Sequence, residues 1–368
     1  MDDPNSVIYG VDNQTRSLCS SNSDTVQFFI GTQSLKPNNQ IHCIELLSDN
    51  DDSSVSYKTT VYSFPLGEIW QLKFSPHESD VMACTFSEYQ NSQVTMKTAL
   101  LKIPSQEMIE ANQQTGQEYL QFNDIEILET NGSEIKTTEF NPSDSNLLAI
   151  VLDDKIRVLS KTEASYTTVA EVQTGKNAPK FNGGKWSQQN ANQFICLHEN
   201  SVRSYDTRDI NHVAWTIEEA HSQQLVRDLD CNPNKQCHLV TGGDDGTLKI
   251  WDCRSVKQPV FSRADHNHWI FSVRFNTFHD SLVLSSSSDN KVILTCARSV
   301  SSEADEEGIE KKENNLPDGL LQMLEQHEDS IYCCEWSSAD PFTFASLSFD
   351  GRIIISQVPK QYKYQFLM

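Results

Sequence analysis

One phrase occurs three times near the C-terminal end of this 368-residue chain, and it constrains the fold more than any other feature. Each copy has a histidine, a short run of β-formers or serines, an aspartate in a predicted turn, and a second run of β-formers. The copies begin at His221, His266 and His327, and the first ends in Trp251-Asp252. Repetition of this kind predicts a repeat architecture.

A second marker recurs along most of the chain: an aromatic or apolar residue followed by Ser or Asn, and often by Pro. Successive markers are 66, 46, 45, 44 and 61 residues apart, and the two long gaps contain polar insertions. The markers are Phe74, Phe140, Trp186, Cys231, Phe275 and Trp336. Upstream, Val7–Val11, Gln27–Thr32 and Gln40–Leu46 supply strands for one more repeat, which makes seven.

This period, with His before a strand and Asp in a tight turn, is typical of WD40 blades. We therefore predict an all-β, seven-bladed WD40 β-propeller that forms a single domain over residues 1–368. Tyr362–Met368 is expected to form the outer strand of the last blade. In the alternative closure the N-terminal strand takes that place, and either solution protects the edge of the last blade.

Three polar segments interrupt the repeats: Ser48–Ser54, Pro104–Asn123 and Ser299–Gly319. Their low hydrophobicity and, in the last, their acidic charge predict flexible surface loops within the propeller, at 104–123 and 299–319. The acidic loop is interpreted as a solvated extrusion, and a docking tail for a basic partner is the alternative.

The composition excludes several classes of function. The formal net charge is −22, which opposes binding to nucleic acid or to anionic lipid and favours basic protein partners. The ten cysteines form no Cys-x-x-Cys pair, which indicates reduced thiols in the cytosol. The N-terminus lacks a signal peptide, and the longest apolar runs, such as Leu147–Leu152, are too short to span a bilayer. We expect a cytoplasmic protein without direct membrane insertion.

The recurring His, Ser/Thr and Asp resemble a hydrolase triad, but a catalytic triad would occur once and this set occurs three times. In a WD blade the turn Asp accepts from the His, the Ser/Thr bonds the other ring nitrogen, and a Trp donates to that hydroxyl. A charge-assisted bond of this kind contributes ~1.5–3 kcal/mol. The predicted structural sets are His221/Thr241/Asp245/Trp251, His266/Ser285/Asp289 and His327/Ser346/Asp350.

The last two sets should be weaker, since Thr295 and Ser356 stand where Trp would. His266 and His268 have no Cys or carboxylate neighbour to complete a metal site. Gly242–Gly246 lacks the Lys-Ser/Thr of a phosphate loop. We therefore expect no cofactor, no metal and no enzymatic activity.

A partner-binding face is better supported. Residues that flank the bulge of each first strand, or that precede the turn Asp, should point to the top face of the propeller. Trp, Tyr and Arg dominate interface hot spots. The alternative for each residue is packing between blades. The candidates are Trp70, Arg227, Trp269, Phe271, Tyr332 and Phe349.

Several phrases resemble the family of WD40 proteins that interact with the EARP and GARP tethering complexes. The match covers most of the chain, weakens through residues 76–180 and in the acidic loop, and is most specific at Leu225–Gln236 and Trp336–Pro341. The other matching phrases are Gly31–Lys36, Asn39–His42, Gly67–Trp70, Gly243–Asp245, His327–Tyr332 and Phe344–Arg352.

The resemblance implies a non-enzymatic adaptor for subunits of these tethers, monomeric outside the complex and associated through partners with endosomes and the trans-Golgi network. It further implies roles in endosomal recycling, retrograde transport and dense-core vesicle cargo sorting. An alternative is a substrate receptor of a cullin-4 ubiquitin ligase, because Asp206-Thr-Arg208 and Asp252-Cys-Arg254 match the Asp-x-Arg motif of such receptors. Local Asp–Arg pairing in a turn would explain the same motif.

Overall fold

Seven four-stranded antiparallel sheets are arranged as the blades of one propeller. The structure is a computed structural model that describes residues 6–36, 38–47, 56–90, 92–105, 107–109, 119–128, 130, 134–163, 165–175, 178–306 and 316–367. The prediction of an all-β, seven-bladed propeller is thus confirmed.

In blades 1 to 6 the four strands of each blade follow one another along the chain. Strand β1 spans Val7–Gly10 and precedes them. Blade 1 contains β2–β5 at Gln14–Ser20, Gln27–Gln33, Asn39–Leu47 and Ser56–Phe64. Blade 2 contains β6–β9 at Glu68–Phe74, Val81–Gln90, Gln93–Lys102 and Asp124–Leu128. Blade 3 contains β10–β13 at Ile135–Phe140, Leu147–Leu152, Lys155–Lys161 and Tyr166–Gln173.

The second half of the ring repeats this plan. Blade 4 contains β14–β17 at Phe181–Trp186, Gln193–His198, Ser201–Asp206 and Asp209–Ile217. Blade 5 contains β18–β21 at Val226–Cys231, His238–Gly243, Leu248–Asp252 and Phe261–Arg263. Blade 6 contains β22–β25 at Ile270–Phe275, Leu282–Ser287, Val292–Cys296 and Gly319–Leu324. Blade 7 takes β26–β28 at Ile331–Trp336, Thr343–Ser348 and Arg352–Gln357.

The hydrophobic core lies between blades. Among the described residues, each of seven apolar clusters joins two adjacent blades, including the last blade and the first. The second strand of each blade is therefore covered on both faces, and all residues of Leu282–Ser287 and Thr343–Ser348 are buried. Burial on both faces explains why a run such as Leu147–Leu152 is continuously apolar.

The N-terminal strand closes the ring. Strand β1 pairs antiparallel with β28, and Val7 lies opposite Ile355. The chain stays attached beyond this strand, since Val11 N donates to Gly351 O at 3.0 Å and Thr15 N to Phe349 O at 3.1 Å. Val7–Val11 therefore belongs to blade 7, and its assignment to the first repeat was wrong.

Tyr362–Met368 does not form the outer strand of the last blade. That edge is taken by β1. The helices named within the described residues include a 3-10 helix at Arg298–Val300, α1 at Glu303–Glu306 and α2 at Lys360–Leu367. Tyr362 and Phe366, four residues apart, pack against the core of blades 6 and 7, whereas Tyr364 between them is 62% exposed. The alternation of Tyr362, Tyr364 and Phe366 imitates a strand, but the packing follows the helical period.

The segment 104–123 is partly built into the core, contrary to the expectation of a flexible loop. Ile109 and Leu120 are buried in the cluster shared by blades 1 and 2. Leu120 also exchanges backbone hydrogen bonds of 2.9 Å with the outer strand of blade 1, and Phe122 stacks on Tyr62 at 5.2 Å. These contacts connect blades 1 and 2. Residues 110–118 lie outside the described residues, as do 48–54.

The beginning of the 299–319 segment is also anchored. Glu303 lies 3.5 Å from His279 Nδ1 and 3.7 Å from Arg298 Nη1, and Leu316 is buried at the other end. The expectation of a fully solvated extrusion does not hold for these residues. Residues 307–315, which include Glu307, Glu310 and Glu313, lie outside the described residues.

Candidate partner-binding site at the channel mouth

The first histidine set forms one chain of hydrogen bonds in blade 5. Trp251 Nε1 donates to Thr241 Oγ1 at 3.0 Å, and His221 contacts Thr241 Oγ1 through Nε2 and Asp245 Oδ1 through Nδ1, both at 2.8 Å. Since a carboxylate only accepts, His221 donates from Nδ1. Burial alone would raise the pKa of Asp245, but hydrogen bonds from His221 and Thr247 hold that pKa well below its ordinary value. His221, Thr241 and Trp251 are buried, whereas the Asp245 side chain is 17% exposed.

The other two sets differ from each other. In blade 6, His266 contacts Ser285 at 2.9 Å and Asp289 at 3.2 Å, as predicted from the sequence. In blade 7, His327 Nε2 contacts Ser346 Oγ at 2.8 Å, but its Nδ1 contacts Ser348 Oγ at 2.9 Å. The expected direct bond from His327 to Asp350 is absent from the described contacts, because Ser348 lies between them and itself donates to Asp350. Ser356 stands where the motif has Trp, and its hydroxyl is buried without a hydrogen-bond partner among the described residues.

Every inner strand carries a β-bulge near its start, at the mouth of the central channel. The register with the neighbouring strand skips one residue in each blade, for example between Thr15 and Ser17 in blade 1. All seven skipped residues line one cavity of about 720 Å³ at this mouth. We call them the bulge ring: Arg16, Trp70, Lys136, Asn182, Arg227, Phe271 and Tyr332.

Arginines and aromatic rings alternate along part of the bulge ring. The Arg16 guanidinium carbon lies 4.6 Å from the ring centres of Trp70 and of Tyr332. Tyr332 stacks on Phe271 at 4.6 Å with an interplanar angle of 12°. Arg227 continues the series, at 5.6 Å from the Phe271 ring and 4.7 Å from the Trp269 ring. Cation–π and stacking contacts of this kind order the side chains before any partner arrives.

The structure brings all six candidate top-face residues into this one cluster. Trp70, Arg227, Trp269, Phe271 and Tyr332 line the cavity, and Phe349 lies behind Tyr332 at 5.5 Å. Packing and exposure coexist here, because the rings touch each other and Trp269 is still 41% exposed.

Sequence reasoning missed Arg16 and Lys136. Arg16 was overlooked because Gln14–Ser20, a polar segment without the aromatic-Ser-Pro marker, was not recognised as the inner strand of blade 1. Lys136 occupies the bulge position of blade 3, in the part of the chain where the family resemblance is weak. Counting four residues back from each marker would have found Trp70, Lys136, Asn182, Arg227 and Phe271, as well as Tyr332.

Below the bulge ring, the third residue after each bulge forms a charge belt around the channel. The side chains of the belt alternate between positive and negative charge from blade 2 to blade 7. Blade 1 contributes an uncharged residue, because strict alternation is impossible around a ring with an odd number of blades. The charge belt is Cys19, Lys73, Glu139, Lys185, Asp230, Arg274 and Glu335. Its ion pairs are Lys73–Glu139 at 3.3 Å, Lys185–Asp230 at 2.8 Å and Arg274–Glu335 at 3.2 Å.

The charged side chains of the belt are only 11% to 22% exposed and are electrostatically coupled. Burial and the Arg274 charge act to lower the pKa of Lys185, but Asp230, Asp228 and Glu139 outweigh them and keep the pKa above its ordinary value. Arg274 also contacts the Asp228 carboxylate one step above the belt. The belt therefore forms a charged floor for the cavity and ties neighbouring blades together.

Other residue groups singled out in the sequence have local partners. His268 Nδ1 contacts Ser288 Oγ at 2.6 Å, and the described residues contain no cluster of metal-ligating side chains. Arg208 and Arg254 each form a bidentate pair with the Asp two residues before them, with shortest contacts of 2.6 and 2.7 Å. None of the ten cysteines is in a disulfide. Over the described ranges, the chain has no helix with the length and apolarity needed to cross a bilayer.

Comparison with solved structures supports the fold. A chain of the COPII outer coat vertex on membranes superposes with a TM-score of 0.71 over 95% of this chain and 84% of that one. The identity is 17%, so this likeness concerns the fold alone. A WD domain, G-beta repeat, family model matches residues 319–355.

Comparison with known sequences is more specific. The EARP and GARP complex-interacting protein 1 of Homo sapiens and that of Macaca fascicularis are each 36% identical to this chain over 100% of both chains. The EARP-interacting protein 1 of Caenorhabditis elegans is 30% identical over 98% of both chains. The model of the EIPR1 beta-propeller family matches residues 4–295. This chain belongs to the EIPR1 β-propeller family.

Proposed function

We propose that this protein is a non-enzymatic adaptor that binds the EARP and GARP vesicle-tethering complexes. The observation that carries the proposal is the 36% identity over the full length of proteins named for that interaction. Since the match spans 100% of both chains, the whole propeller is the unit to which the role is transferred.

The finer role follows from the same family. The protein would support endosomal recycling, endosome-to-Golgi retrograde transport and dense-core vesicle cargo sorting. It would be cytoplasmic, monomeric outside the complex, and held at endosomes and the trans-Golgi network by its partners. A propeller fits such a role, because its rigid blades present a fixed surface to a partner at little entropic cost.

The channel mouth is the surface we assign to the tether. Its bulge ring is rich in Trp, Tyr and Arg, the residue types that dominate interface hot spots. These side chains are ordered by each other, as in the Tyr332–Phe271 stack at 4.6 Å. The histidine networks are assigned a structural role that holds the blades in register.

Affinity purification of the tagged full-length protein, coupled to lysine cross-linking, tests the proposal. We expect EARP and GARP subunits to be recovered, with cross-links from Lys136, which lines the mouth, rather than from Lys257 in blade 5 or Lys360 in α2. Failure to recover either tether would contradict the adaptor role. Recovery with cross-links confined to Lys257 or Lys360 would keep the role and move the docking surface.

The cullin-4 receptor remains the alternative that the same experiment decides. Arg208 and Arg254 are 70% and 67% exposed, so a ligase adaptor could reach them. Each is nevertheless paired with its own turn aspartate, which explains the motif without a partner. Recovery of a ligase adaptor that is lost in the Arg208→Ala/Arg254→Ala variant would establish this alternative and overturn the tether proposal.

A further inference from the structure

The charged side chains that line the channel mouth are mainly cations, although the chain as a whole is strongly acidic. The residues that line the cavity include five cations and one carboxylate, Glu134, whereas the chain has a net charge of −22. The five cations are Arg16, Lys73, Lys136, Arg227 and Arg274. The charge that a ligand meets there depends on how far carboxylates outside the lining compensate these cations.

Four of these cations already have carboxylate partners. Lys73 pairs with Glu139. Arg274 pairs with both Asp228 and Glu335. Lys136 pairs with Glu134 at 2.6 Å, and Arg227 pairs with Asp244 at 2.5 Å. Arg16 has no ion pair within the described ranges, and its Nε is buried without a hydrogen-bond partner there. The cavity therefore offers one uncompensated positive charge.

The surroundings of Arg16 explain how that charge is held. The guanidinium is a planar group that stacks on aromatic faces and keeps its in-plane N–H donors for a planar anion. Trp70 and Tyr332 each lie 4.6 Å from the Arg16 guanidinium carbon. Trp70 is itself fixed by a 3.0 Å hydrogen bond from its Nε1 to Ser87 Oγ. The site is thus ordered and matches the geometry of a carboxylate.

Apolar surface lies around the same cavity. The β7–β8 hairpin supplies Val94, which is 62% exposed, and Met96, and blade 6 supplies Trp269, which is 41% exposed. Exposed apolar groups beside Arg16, the one lining cation without an ion pair among the described residues, suit a ligand that combines one acidic group with apolar side chains.

We propose that the channel mouth binds a peptide segment of the partner in which an Asp or Glu carboxylate is flanked by apolar side chains, with Arg16 receiving the carboxylate. This inference rests on the proposed function, since the tether would supply the segment. A polyphosphate such as an inositol phosphate fits less well, because it needs several free cations and the cavity has one. The remaining wall would contact the apolar side chains.

Selection of a random peptide display library on the immobilised full-length protein tests this chemistry without any tether. Selected peptides would then be synthesised with a fluorescent label, both as selected and with every Asp and Glu replaced by Asn and Gln. Binding of each pair would be measured to the wild type and to Arg16→Gln, Arg16→Lys and Arg254→Gln. Arg254 is the matched control, because it is 67% exposed and does not line the cavity.

We expect enrichment of an acidic residue beside aromatic or aliphatic residues, and at least a tenfold loss of affinity in Arg16→Gln or in the neutral peptide. Arg16→Lys should bind the peptides with intermediate affinity, because lysine keeps the positive charge but lacks the paired N–H donors of the guanidinium. Selection of non-acidic peptides, equal binding by Arg16→Gln, or displacement by inositol hexakisphosphate in preference to the peptides would overturn the inference.

The peptide with Asn and Gln in place of Asp and Glu is measured on the wild-type protein. This comparison therefore tests the role of the carboxylate even if the Arg16 variants do not fold. Co-purification of the tether with Arg16→Gln separates the two proposals. If the wild type recovers the tether and Arg16→Gln recovers it equally, the adaptor role stands and the acidic segment does not come from the tether, which overturns the inference. If the wild type recovers no tether, the adaptor role fails. The inference that the tether supplies the acidic segment then fails as well, even if selected peptides bind to the mouth.

Discussion

Lys185 Nζ lies 2.8 Å from Asp230 Oδ1 inside the channel, where the two side chains are only 14% and 11% exposed. A second lysine pair in the same region, Lys180–Asp153, has a nearly equal distance of 2.7 Å, but Lys180 is 64% exposed. The two pairs differ in burial rather than in geometry, so they separate the contribution of the charge belt from that of an ordinary surface ion pair.

We predict that Lys185→Met lowers the free energy of unfolding by about 3 kcal/mol, because it leaves the Asp230 carboxylate buried without its cation. Lys180→Met should have a much smaller effect, since solvent around the exposed Lys180 screens its attraction to Asp153, which is itself 19% exposed. Urea denaturation of both variants measures the difference. Equal effects would show that the belt has no special energetic role.

The histidine networks predict a second difference between two aspartates. Asp245→Ala should destabilise the protein by about 2–3 kcal/mol, because His221 Nδ1 then loses its charged acceptor in a buried site and keeps only the longer 3.2 Å contact with Thr247 Oγ1. Asp350→Ala should have an effect below about 1 kcal/mol, because Asp350 is exposed and His327 keeps its bonds to Ser346 and Ser348. Chemical denaturation at pH 7.5 compares them, and a larger loss in Asp350→Ala would refute this ranking.

The repeats made most of the fold predictable. Because each blade reuses the same marker, one recognised blade gives the register of the others. Trp70, Arg227, Phe271 and Tyr332 hold equivalent positions in that register, and in the structure they line one cavity. Blade 1 was the exception, because the residues of Gln14–Ser20 pack against other blades without carrying the marker. Because that strand was not recognised, Arg16 was not predicted as a residue of the bulge ring.

Ring closure could not be predicted from local pattern. Both chain ends have strand-like alternation, and the outcome depends on which of them reaches the free edge of β28. Tertiary contacts decide it: β1 pairs with β28, and Tyr362 and Phe366 find an apolar surface as a helix. The bond from His327 to Ser348 was missed for a related reason, since the neighbouring hydroxyl competes with Asp350 for the same ring nitrogen.

Closure leads to a third prediction. Gly351 has a φ of +90°, and a Cβ at this position would lie 2.5 Å from Val11 O. Gly351→Ala should therefore lower stability by about 2 kcal/mol or more, through both backbone strain and displacement of the closing segment. Gly10→Ala is the control, because Gly10 lies opposite Arg352 in the same strand pair and a Cβ there meets nothing within 4 Å. Thermal unfolding should show a clear loss for Gly351→Ala alone.

The pH dependence of stability should contain a contribution from His198. Burial lowers the pKa of His198 to about 4, and Arg203 acts in the same direction. The native ring stays neutral while the unfolded ring takes up a proton near pH 6.5, so stability is lost as the pH falls from 6.5 towards 4. Its two ring nitrogens have no hydrogen-bond partner in the described structure, and the ring packs on Phe181 at 4.9 Å.

His198→Phe should keep the ring contact and remove the proton uptake. Relative to the wild type, we expect the variant to gain about 1–2 kcal/mol between pH 7.5 and pH 5. His212→Phe, at a side chain that is 83% exposed, is the control and should leave the pH profile unchanged. Urea denaturation at both pH values measures the effect, and parallel profiles for His198→Phe and the wild type would contradict it.

The channel mouth predicts a loss of binding that is separate from any loss of stability. Trp269 is 41% exposed and lines the cavity, and Phe278 is 47% exposed at the other end of the inner strand of blade 6 and does not line it. Trp269→Ala should reduce recovery of the tether at least fivefold while the free energy of unfolding changes by less than about 1 kcal/mol. Phe278→Ala, an aromatic truncation of similar exposure, should leave recovery unchanged. A large stability loss in Trp269→Ala without selective loss of binding would mean that this ring serves packing between blades, and equal loss of binding in both variants would mean that the tether contacts more than the mouth.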